Sequence, residues 1–271
     1  MSILIPSFNQ GHYLEKCLKS IFNQSFKNFE VIVLDNVSQD STNNILVRYK
    51  KKYRKQFHYI IRKDNGQADA INYGINIAKG DYVTWQNCDD YYYPGAFKLF
   101  YEAYNQDQTS DLIYGNVNLL FKEQAKNKKL LFNSVNFFTL LSEGMVITNQ
   151  SCIWKKKTHS KIGLLKNYYT SFDYEWFLRL SFNKFKFKKV NSEKNLACFL
   201  IYKGQKSHTY SSKDTRIRNK IIKTYHSKST FLKFFSLFFL KNLSRFYRFL
   251  VLLKNLEFNY IFGYFFPSKL R

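Results

Sequence analysis

Two hydrophobic periods alternate along the first ninety or so residues of the chain. Ser2-Ile3-Leu4-Ile5 is an unbroken apolar run of the kind buried on both faces of a sheet, and Pro6 ends it. Ser7-Phe8-Asn9-Gln10-Gly11 reads as a loop. Leu14, Cys17, Leu18, Ile21 and Phe22 then recur three and four residues apart, which predicts a helix with one buried face. Phe29 to Leu34 is again unbroken, a second buried strand that ends in Asp35-Asn36. Ser38-Gln39-Asp40-Ser41 supplies capping side chains for a helix running to about Lys50. Tyr59-Ile60-Ile61 predicts a third strand. Asn65-Gly66-Gln67 turns into a helix from about Ala68 to Ala78, which Gly80 ends. Tyr82, Val83, Thr84 and Trp85 are β-branched or aromatic and predict a fourth strand. It runs into Gln86-Asn87-Cys88-Asp89-Asp90, and Pro94-Gly95 then breaks the chain.

Four alternations of strand and helix predict a mostly parallel sheet with helices on both faces. Such sheets bind ligands outside the carboxyl ends of their strands. Ser7, Asp35 and Asp89-Asp90 all fall at that edge, so three strand ends converge on one crevice. Adjacent carboxylates repel unless water screens them or a cation sits between them. A hard divalent ion with oxygen ligands suits the second case. A solvated acidic loop would account for Asp89-Asp90 alone, but not for the convergence. Neither GxGxxG after the first strand nor GxxxxGK[ST] occurs, which disfavours a dinucleotide-binding domain and a P-loop; HExxH and GxSxG are also absent.

Charge widens the field of partners. Lys and Arg number 43 against 19 Asp and Glu, a formal charge of +24. A chain so basic seeks polyanions: nucleic acid, anionic lipid or phosphate-bearing substrates. Nucleic acid is the weaker of these, because the basic residues are spread along the chain and no RNP or helix-turn-helix signature occurs. The four cysteines, Cys17, Cys88, Cys152 and Cys198, show no CxxC spacing, which fits a reducing compartment rather than a zinc site or a disulfide scaffold. No signal-peptide pattern and no apolar run of spanning length is present, so neither secretion nor a spanning helix is expected.

The run IPSFNQGHYLEKCLKSIFNQSFKNFEVIVLDNVSQDST resembles the opening of the family 2 glycosyltransferases, which have a GT-A fold. KDNGQADAINYGINIAKGDYVTWQNCDDYYYPGA is similar to that family's second block, and the match extends through NQSCIWKK and IGLLKNYYTSFDYEWFLRL. The resemblance covers roughly residues 1–207, with several motifs in order. It implies an α/β GT-A fold and inverting transfer of a sugar from a nucleotide-diphosphate donor to a glycan or lipid-linked glycan. It also implies a divalent metal, Mn²⁺ or Mg²⁺, that stabilises the leaving pyrophosphate. Residue by residue, it implies Asp90 as the metal ligand and Asp89 on the ribose side. Asp35 would read the nucleobase, with Asn36 where most relatives have a second Asp, and Pro6 and Ser7 would line the base pocket. Asp64, Gly66, Gln67 and Asp69 belong to the donor block. Asp69 and Asn72 either face the crevice or serve as a first-turn charge and a helix-surface residue.

Asp173 matches the family's general base, with Phe172 where relatives often have Glu. Phe172, Trp176 and Leu180 recur every four residues on one helical face, and Asp173 falls in the first turn, where the dipole favours its charge. Glu175 is a fallback base, read in preference as a solvated residue paired with Arg179. Tyr202 stands where relatives commonly have a His that helps hold metal or diphosphate. Lys203, Lys206 or His208 would take over that charge, unless the two lysines form a solvated loop. Asn149, Gln150 and Ser151 match a block under the acceptor, and Lys155-Lys156-Lys157 reads as a solvated face. Without QxxRW or spanning helices, addition of a single sugar is expected. A GT-A fold that binds nucleotide without turnover is the alternative.

The expected layout is a nucleotide-sugar half (1–115), an acceptor half carrying the base (116–210) and a basic aromatic helical extension (211–271). Residues 228–271 hold eight basic residues and one acidic residue among many Phe and Leu. Basic amphipathic helices of this composition lie in membrane interfaces. Packing back on the catalytic domain or an oligomer contact is the other reading. The first places the protein in the cytoplasm, peripheral to the inner face of the membrane.

Overall fold

The computed structural model describes residues 1–130, 135–205 and 211–254. Its first strands and helices follow the sequence pattern: β1 (Ser2–Ser7), α1 (Gly11–Phe22), β2 (Glu30–Asp35), α2 (Thr42–Lys52), β3 (Phe57–Ile61), α3 (Gln67–Ile77) and β4 (Tyr82–Trp85). There follow β5 (Tyr91–Tyr92), α4 (Ala96–Gln106), β6 (Leu112–Tyr114), β7 (Asn116–Phe121), β8 (Lys126–Leu130), α5 (Phe137–Glu143) and a 3₁₀ turn at Asn149–Ser151. Then come β9 (Cys152–Lys155), α6 (Thr158–Ile162), α7 (Phe172–Phe182), β10 (Phe187–Lys189), β11 (Asn195–Ile201), α8 (Ser211–Lys228) and α9 (Leu237–Lys254).

Seven strands form one sheet in the order β10-β6-β9-β4-β1-β2-β3. All pairs are parallel except those of β9, which runs antiparallel to β4 and β6. The sheet therefore crosses residue 115, and both expected halves share one core. A second sheet, β5-β11-β7-β8, lies beside it. In the parallel register Ser7 pairs with Asp35 and Asp35 with Ile61, so these strands end level with one another.

The core is the apolar set that the periodicity picks out. Leu14, Cys17, Leu18, Ile21 and Phe22 of α1 are all buried, and each full burial of a large side chain contributes roughly 1.5–3 kcal/mol. Helix α3 sits so close on the sheet that a Cβ at Gly74 would lie 2.7 Å from Leu34 Cδ1. The start of α2 differs in detail from expectation. Ser41 makes no side-chain cap; Asp40 accepts from Thr42 N at 3.0 Å and from Gly11 N at 2.8 Å, tying the starts of α1 and α2 together.

The C-terminal helices do pack back. Ile221 and Tyr225 of α8 are buried, and so is Leu240 of α9. Ser244 Oγ of α9 donates to Glu143 Oε1 at the end of α5. Another face of α9 is open: Phe239, Leu243, Phe246, Leu250 and Leu253, at helical spacing, are all exposed. No helix among the described residues is long and apolar enough to cross a membrane. Residues 255–271 of the expected extension lie outside the described residues, as do Lys206 and His208.

Candidate active site

The carboxyl ends of β1, β2, β3 and β4 form one wall of a cavity of about 520 Å³. Ser7 and Phe8 enter it from β1, Asn36 from β2, Asp64, Gly66 and Gln67 from the segment after β3, and Asn87 and Asp89 from the turn after β4. Asn149 and Gln150 of the 3₁₀ turn and Asp173 and Tyr174 of α7 also line it. A larger hollow of about 950 Å³ lies at the opposite sheet edge, where Met1 and Asp81 begin β1 and β4. It collects no comparable set of carboxylates, and the chain-end rule favours the smaller cavity.

Local folding decides which polar residue of each strand end faces the cavity. Asp35 is buried, and its two oxygens accept from Ser38 N at 2.9 Å and Ser38 Oγ at 2.6 Å. It stitches the β2–α2 loop and does not line the cavity. Its neighbour Asn36 does, and Asn36 Oδ1 accepts from Asp64 N at 3.0 Å. Of this pair, then, it is Asn36 and not Asp35 that faces the cavity.

The turn after β4 likewise divides Asp89 from Asp90. Asp90 is 1 % exposed, and its carboxylate accepts from Asn87 Nδ2 at 3.0 Å, Gln150 Nε2 at 2.8 Å and Leu200 N at 3.0 Å. Burial and the neighbouring Asp89 hold its pKa well above the usual carboxylate range. Asp90 is not among the residues that line the cavity, whereas Asp89 is. The Asp89 carboxyl is likewise raised by burial, and the Tyr202 hydroxyl and Gln205 Nε2, at 3.5 Å, donate to it. The expectation that Asp90 faces the metal and Asp89 the ribose does not fit this geometry.

Asp64 accepts from Gly66 N at 2.8 Å, and burial raises its pKa. Gly66 takes φ 109°, and nothing lies within 4 Å of where a Cβ would be. The backbone there is bare and in a conformation that glycine adopts without strain. Asp69 turns away: it pairs with Arg62 at 3.1 Å and accepts from Asn65 N, closing the turn before α3. Asn72 is neither a cavity residue nor a free surface residue. Its amide exchanges hydrogen bonds with Leu165 N and O at 2.9 and 2.8 Å, clasping α3 to the segment before α7.

Asp173 reaches the cavity from the first turn of α7, which begins after Ser171 at φ 62°. Phe172 packs on Trp85 with ring centroids 5.8 Å apart, and Trp85 ends β4, so the helix start and the Asp89 turn are held together. Glu175 pairs with Arg179 at 3.1 Å as expected, but it is 1 % exposed rather than solvated. It also meets Lys166 at 2.7 Å and accepts from the Tyr225 hydroxyl at 2.7 Å. Lys203 is exposed and not among the lining residues.

No group of three His, Cys, Asp or Glu side chains that could hold a metal occurs among the described residues. A single buried carboxylate in a cavity, Asp89, still suits a hard ion that takes its other ligands from substrate phosphates and water. Sequence reasoning missed Asn87, which donates to Asp90 and accepts from Gln67 Nε2 at 2.8 Å. It stands two residues before Asp89 and lines the cavity with it, in the turn after β4 where no strand periodicity marks it.

A model of the family described as glycosyl transferase family 2 matches residues 2–177. Glycosyltransferase GlyG of Streptococcus pneumoniae is 30% identical over 118 residues, 43% of this chain and 38% of its own length. Chondroitin synthase of Pasteurella multocida is 28% identical over 200 residues, 70% of this chain and 20% of its own length. The chain likewise spans about a fifth of the uncharacterized glycosyltransferase of Rickettsia felis, at 30% identity. Among solved structures, S. aureus TarS 1-349 in complex with UDP-GlcNAc superposes with TM-score 0.66 at 15% identity, covering 98% of this chain and 72% of that one. Mannosyltransferase PcManGT from Pyrobaculum calidifontis, in complex with GDP-Man and Mn²⁺, gives 0.57 at 14% identity, covering 84% and 63%. With four strand ends on one cavity, a matching family model over most of the chain and the shared architecture, this chain belongs to glycosyl transferase family 2 and has its GT-A fold.

Proposed function

We propose that the protein transfers one sugar from a nucleotide-diphosphate donor to a hydroxyl of a glycan or lipid-linked glycan, with inversion at the anomeric carbon. The observation that carries this reading is that Asp89, from the turn after β4, and Asp173, from the first turn of α7, line one cavity of about 520 Å³. In this reading the cavity holds both a leaving-group site, at Asp89, and a base, Asp173. The neighbours solved with UDP-GlcNAc and GDP-Man indicate the class of donor.

In this reading Ser7, Phe8 and Asn36 receive the nucleobase and ribose with Pro6, and Asp64 and Gly66 approach the donor from the third strand end. We assign the metal-facing role to Asp89. Asp90, Asn87 and Gln150 hold its turn in place. A bound Mn²⁺ or Mg²⁺ would neutralise charge on the leaving diphosphate. Asp173, at a helix start that favours its ionised form, takes the proton from the acceptor hydroxyl as the bond to the sugar forms. One base and no partner nucleophile imply a single in-line displacement.

The open face of α9 supports a seat on an anionic membrane, where a lipid-linked acceptor for polysaccharide synthesis would be met from the cytoplasmic side. Phe and Leu are exposed there beside exposed Lys233, Lys241 and Arg245. A thermal-shift panel of UDP, GDP, dTDP and CMP, each with and without Mn²⁺, tests the function. A ligand at a hundred times its Kd adds about 2.7 kcal/mol of stability. One nucleotide should shift the protein in a Mn²⁺-dependent way. No shift with any of them would count against the transferase reading, and a shift without turnover of any nucleotide-sugar would leave a binding protein.

A further inference from the structure

We infer that Tyr202 is a positioning residue for Asp89: from the turn after β11 its hydroxyl holds that carboxylate in place, so that Asp89 meets the divalent ion of the donor already oriented. The inference rests on the transferase reading above, in which Asp89 faces the metal. It adds a residue that the family match does not cover, since the matched region ends at residue 177.

Strand β11 ends at Ile201, and Tyr202-Lys203-Gly204-Gln205 then turns the chain, with Gln205 N donating to Tyr202 O at 3.2 Å. Neighbouring elements anchor this turn. Lys122 N donates to Ile201 O at 2.9 Å, and Lys203 N donates to Glu123 Oε1 at 2.7 Å, both from the link between β7 and β8. The Tyr202 ring packs on the Tyr13 ring of α1 with centroids 5.3 Å apart. Lys122 Nζ lies 5.3 Å from the Tyr13 centroid and 5.9 Å from that of Tyr202, and it donates to the Tyr13 hydroxyl at 3.3 Å. Contacts from α1 and from the β7–β8 link therefore fix the Tyr202 ring before any ligand arrives.

Both ends of the turn reach one carboxylate. The Tyr202 hydroxyl donates to Asp89, Gln205 Nε2 donates to Asp89 Oδ2 at 3.5 Å, and all three residues line the cavity. The same Gln205 Nε2 donates to Leu200 O at 2.9 Å, and Leu200 N donates to Asp90 Oδ1 at 3.0 Å. One short segment, 200–205, thus supports both aspartates of the doublet from 110 residues further along the chain. A phenol, with an ordinary pKa of about 10, is neutral at pH 7 and a poor ligand for a hard ion. As a donor to a carboxylate it makes a charge-assisted bond. An ionised carboxylate accepts at about four sites, so two donors still leave room for an ion. A group that holds a metal ligand by a hydrogen bond sets the ligand's orientation, and its loss typically costs about 10–100-fold in metal affinity.

The test is a Mn²⁺ titration of Tm for wild type, Tyr202→Phe and Tyr13→Phe, with UDP or GDP, whichever stabilises wild type more, held at a fixed saturating level. Tyr202→Phe keeps the ring on Tyr13 and removes only the hydroxyl. Tyr13→Phe removes the neighbouring hydroxyl, which bonds Lys122 instead. The Mn²⁺ concentration that gives half of the metal-dependent shift should rise about tenfold or more in Tyr202→Phe and stay at the wild-type value in Tyr13→Phe. The Tm without ligand should stay within a few degrees in both, and so should the shift given by the nucleotide in EDTA. A wild-type midpoint in Tyr202→Phe overturns the inference, as does a lower Tm without ligand at an unchanged Mn²⁺ midpoint, which would make the hydroxyl a structural contact only. Loss of the nucleotide shift in EDTA also overturns it, because Tyr202 would then touch the nucleotide itself. A wild type with no Mn²⁺-dependent shift overturns the metal-facing role of Asp89 in the transferase reading, and this inference with it; the other failures leave that reading standing.

Discussion

The Tyr225 hydroxyl donates to Glu175 Oε1 at 2.7 Å in the interior, joining the helix that carries Asp173 to the helix that follows it. Glu175 also holds Arg179, whose guanidinium donates to Ile162 O and Leu164 O, and Lys166. It is the knot between α7, α8 and the segment that leads into the active-site wall.

Replacing Glu175 by Gln keeps the shape but leaves two cations without their carboxylate. Breaking such a buried network costs about 2–4 kcal/mol, and Tyr225→Phe, which removes one hydrogen bond, about 1 kcal/mol. Urea unfolding should show both as lower midpoints at unchanged slope. A Glu175→Gln protein as stable as wild type would mean that the network does not hold these helices together.

Val37 sits at φ 55°, a conformation that a β-branched residue rarely takes, and its side chain is 44 % exposed. The loop holds it there: Asn9 N donates to Ser38 Oγ and Gln39 N to Asn9 Oδ1, both at 2.8 Å. Relief of the left-handed strain is worth about 1–2 kcal/mol, and the extra freedom of glycine in the unfolded chain takes back roughly half of that. Val37→Gly should therefore stabilise the protein by about 0.5–1 kcal/mol in thermal or urea unfolding. A loss of stability would show that the valine side chain makes a contact worth more than the strain.

His159 is buried, stacked on Trp176 with ring centroids 4.1 Å apart, and its Nε2 accepts from Trp154 Nε1 at 2.9 Å. Burial lowers its pKa from 6.5 to about 4. Between those values the unfolded chain binds the proton and the folded chain does not, so stability is complete above about pH 6.5 and is lost as pH falls towards 4. The loss amounts to roughly 3 kcal/mol. The raised carboxyls of Asp64, Asp89 and Asp90 contribute with the opposite sign, because they hold protons more tightly when folded. The readout is thus the difference between wild type and His159→Gln in urea midpoints from pH 7 to pH 4.5. That difference should change by most of the 3 kcal/mol across the range; a constant difference would mean that His159 titrates normally.

The alternation of period-two and period-3.6 patterns made the first four strands and three helices legible, because each buries one continuous face. The cavity edge followed from topology. Asp69 and Asn72 were not legible: a first-turn carboxylate and a helix amide look alike in sequence whether they face a ligand or clasp a loop. Here the partners are Arg62 and Leu165, the second of them ninety-three residues away. The choice within Asp35-Asn36 and Asp89-Asp90 failed for a related reason. In each of these two doublets one residue lines the cavity and the other lies beneath it, held by donors that are far from legible: Ser38 for Asp35, and Gln150 with Leu200 N for Asp90.

That division gives the two aspartates different expected phenotypes. Asp89→Asn removes a cavity-facing charge and should keep Tm within a few degrees while abolishing any Mn²⁺-dependent stabilisation by nucleotide. Asp90→Asn turns an acceptor of three N–H groups into a group with one oxygen, and should cost about 2–3 kcal/mol of stability. Thermal shifts of both variants with UDP and GDP, with and without Mn²⁺, separate the roles. If Asp90→Asn is stable and loses the metal response while Asp89→Asn keeps it, the roles are reversed.

The exposed stripe of α9 makes the last prediction. Phe238 and Phe246 are 78 % and 58 % exposed, and Phe234, just before the helix, 76 %. Apolar area left in water at this density is costly unless something covers it. A second copy of a chain with a formal charge of +24 would bring like charges together, whereas an anionic bilayer meets Lys233, Lys241 and Arg245 with opposite charge. Co-sedimentation with vesicles of phosphatidylglycerol should therefore pull down the protein, and vesicles of phosphatidylcholine should do so far less. Raising salt to 0.5 M should weaken binding, because screening shortens the reach of the surface charge. Phe234→Ser with Phe238→Ser and Phe246→Ser should reduce binding at least tenfold without lowering Tm, since none of the three is buried. Equal binding of that triple variant would assign the membrane affinity to charge alone. A concentration-dependent dimer in the wild type that the triple variant lacks would assign the stripe to a second copy of the chain.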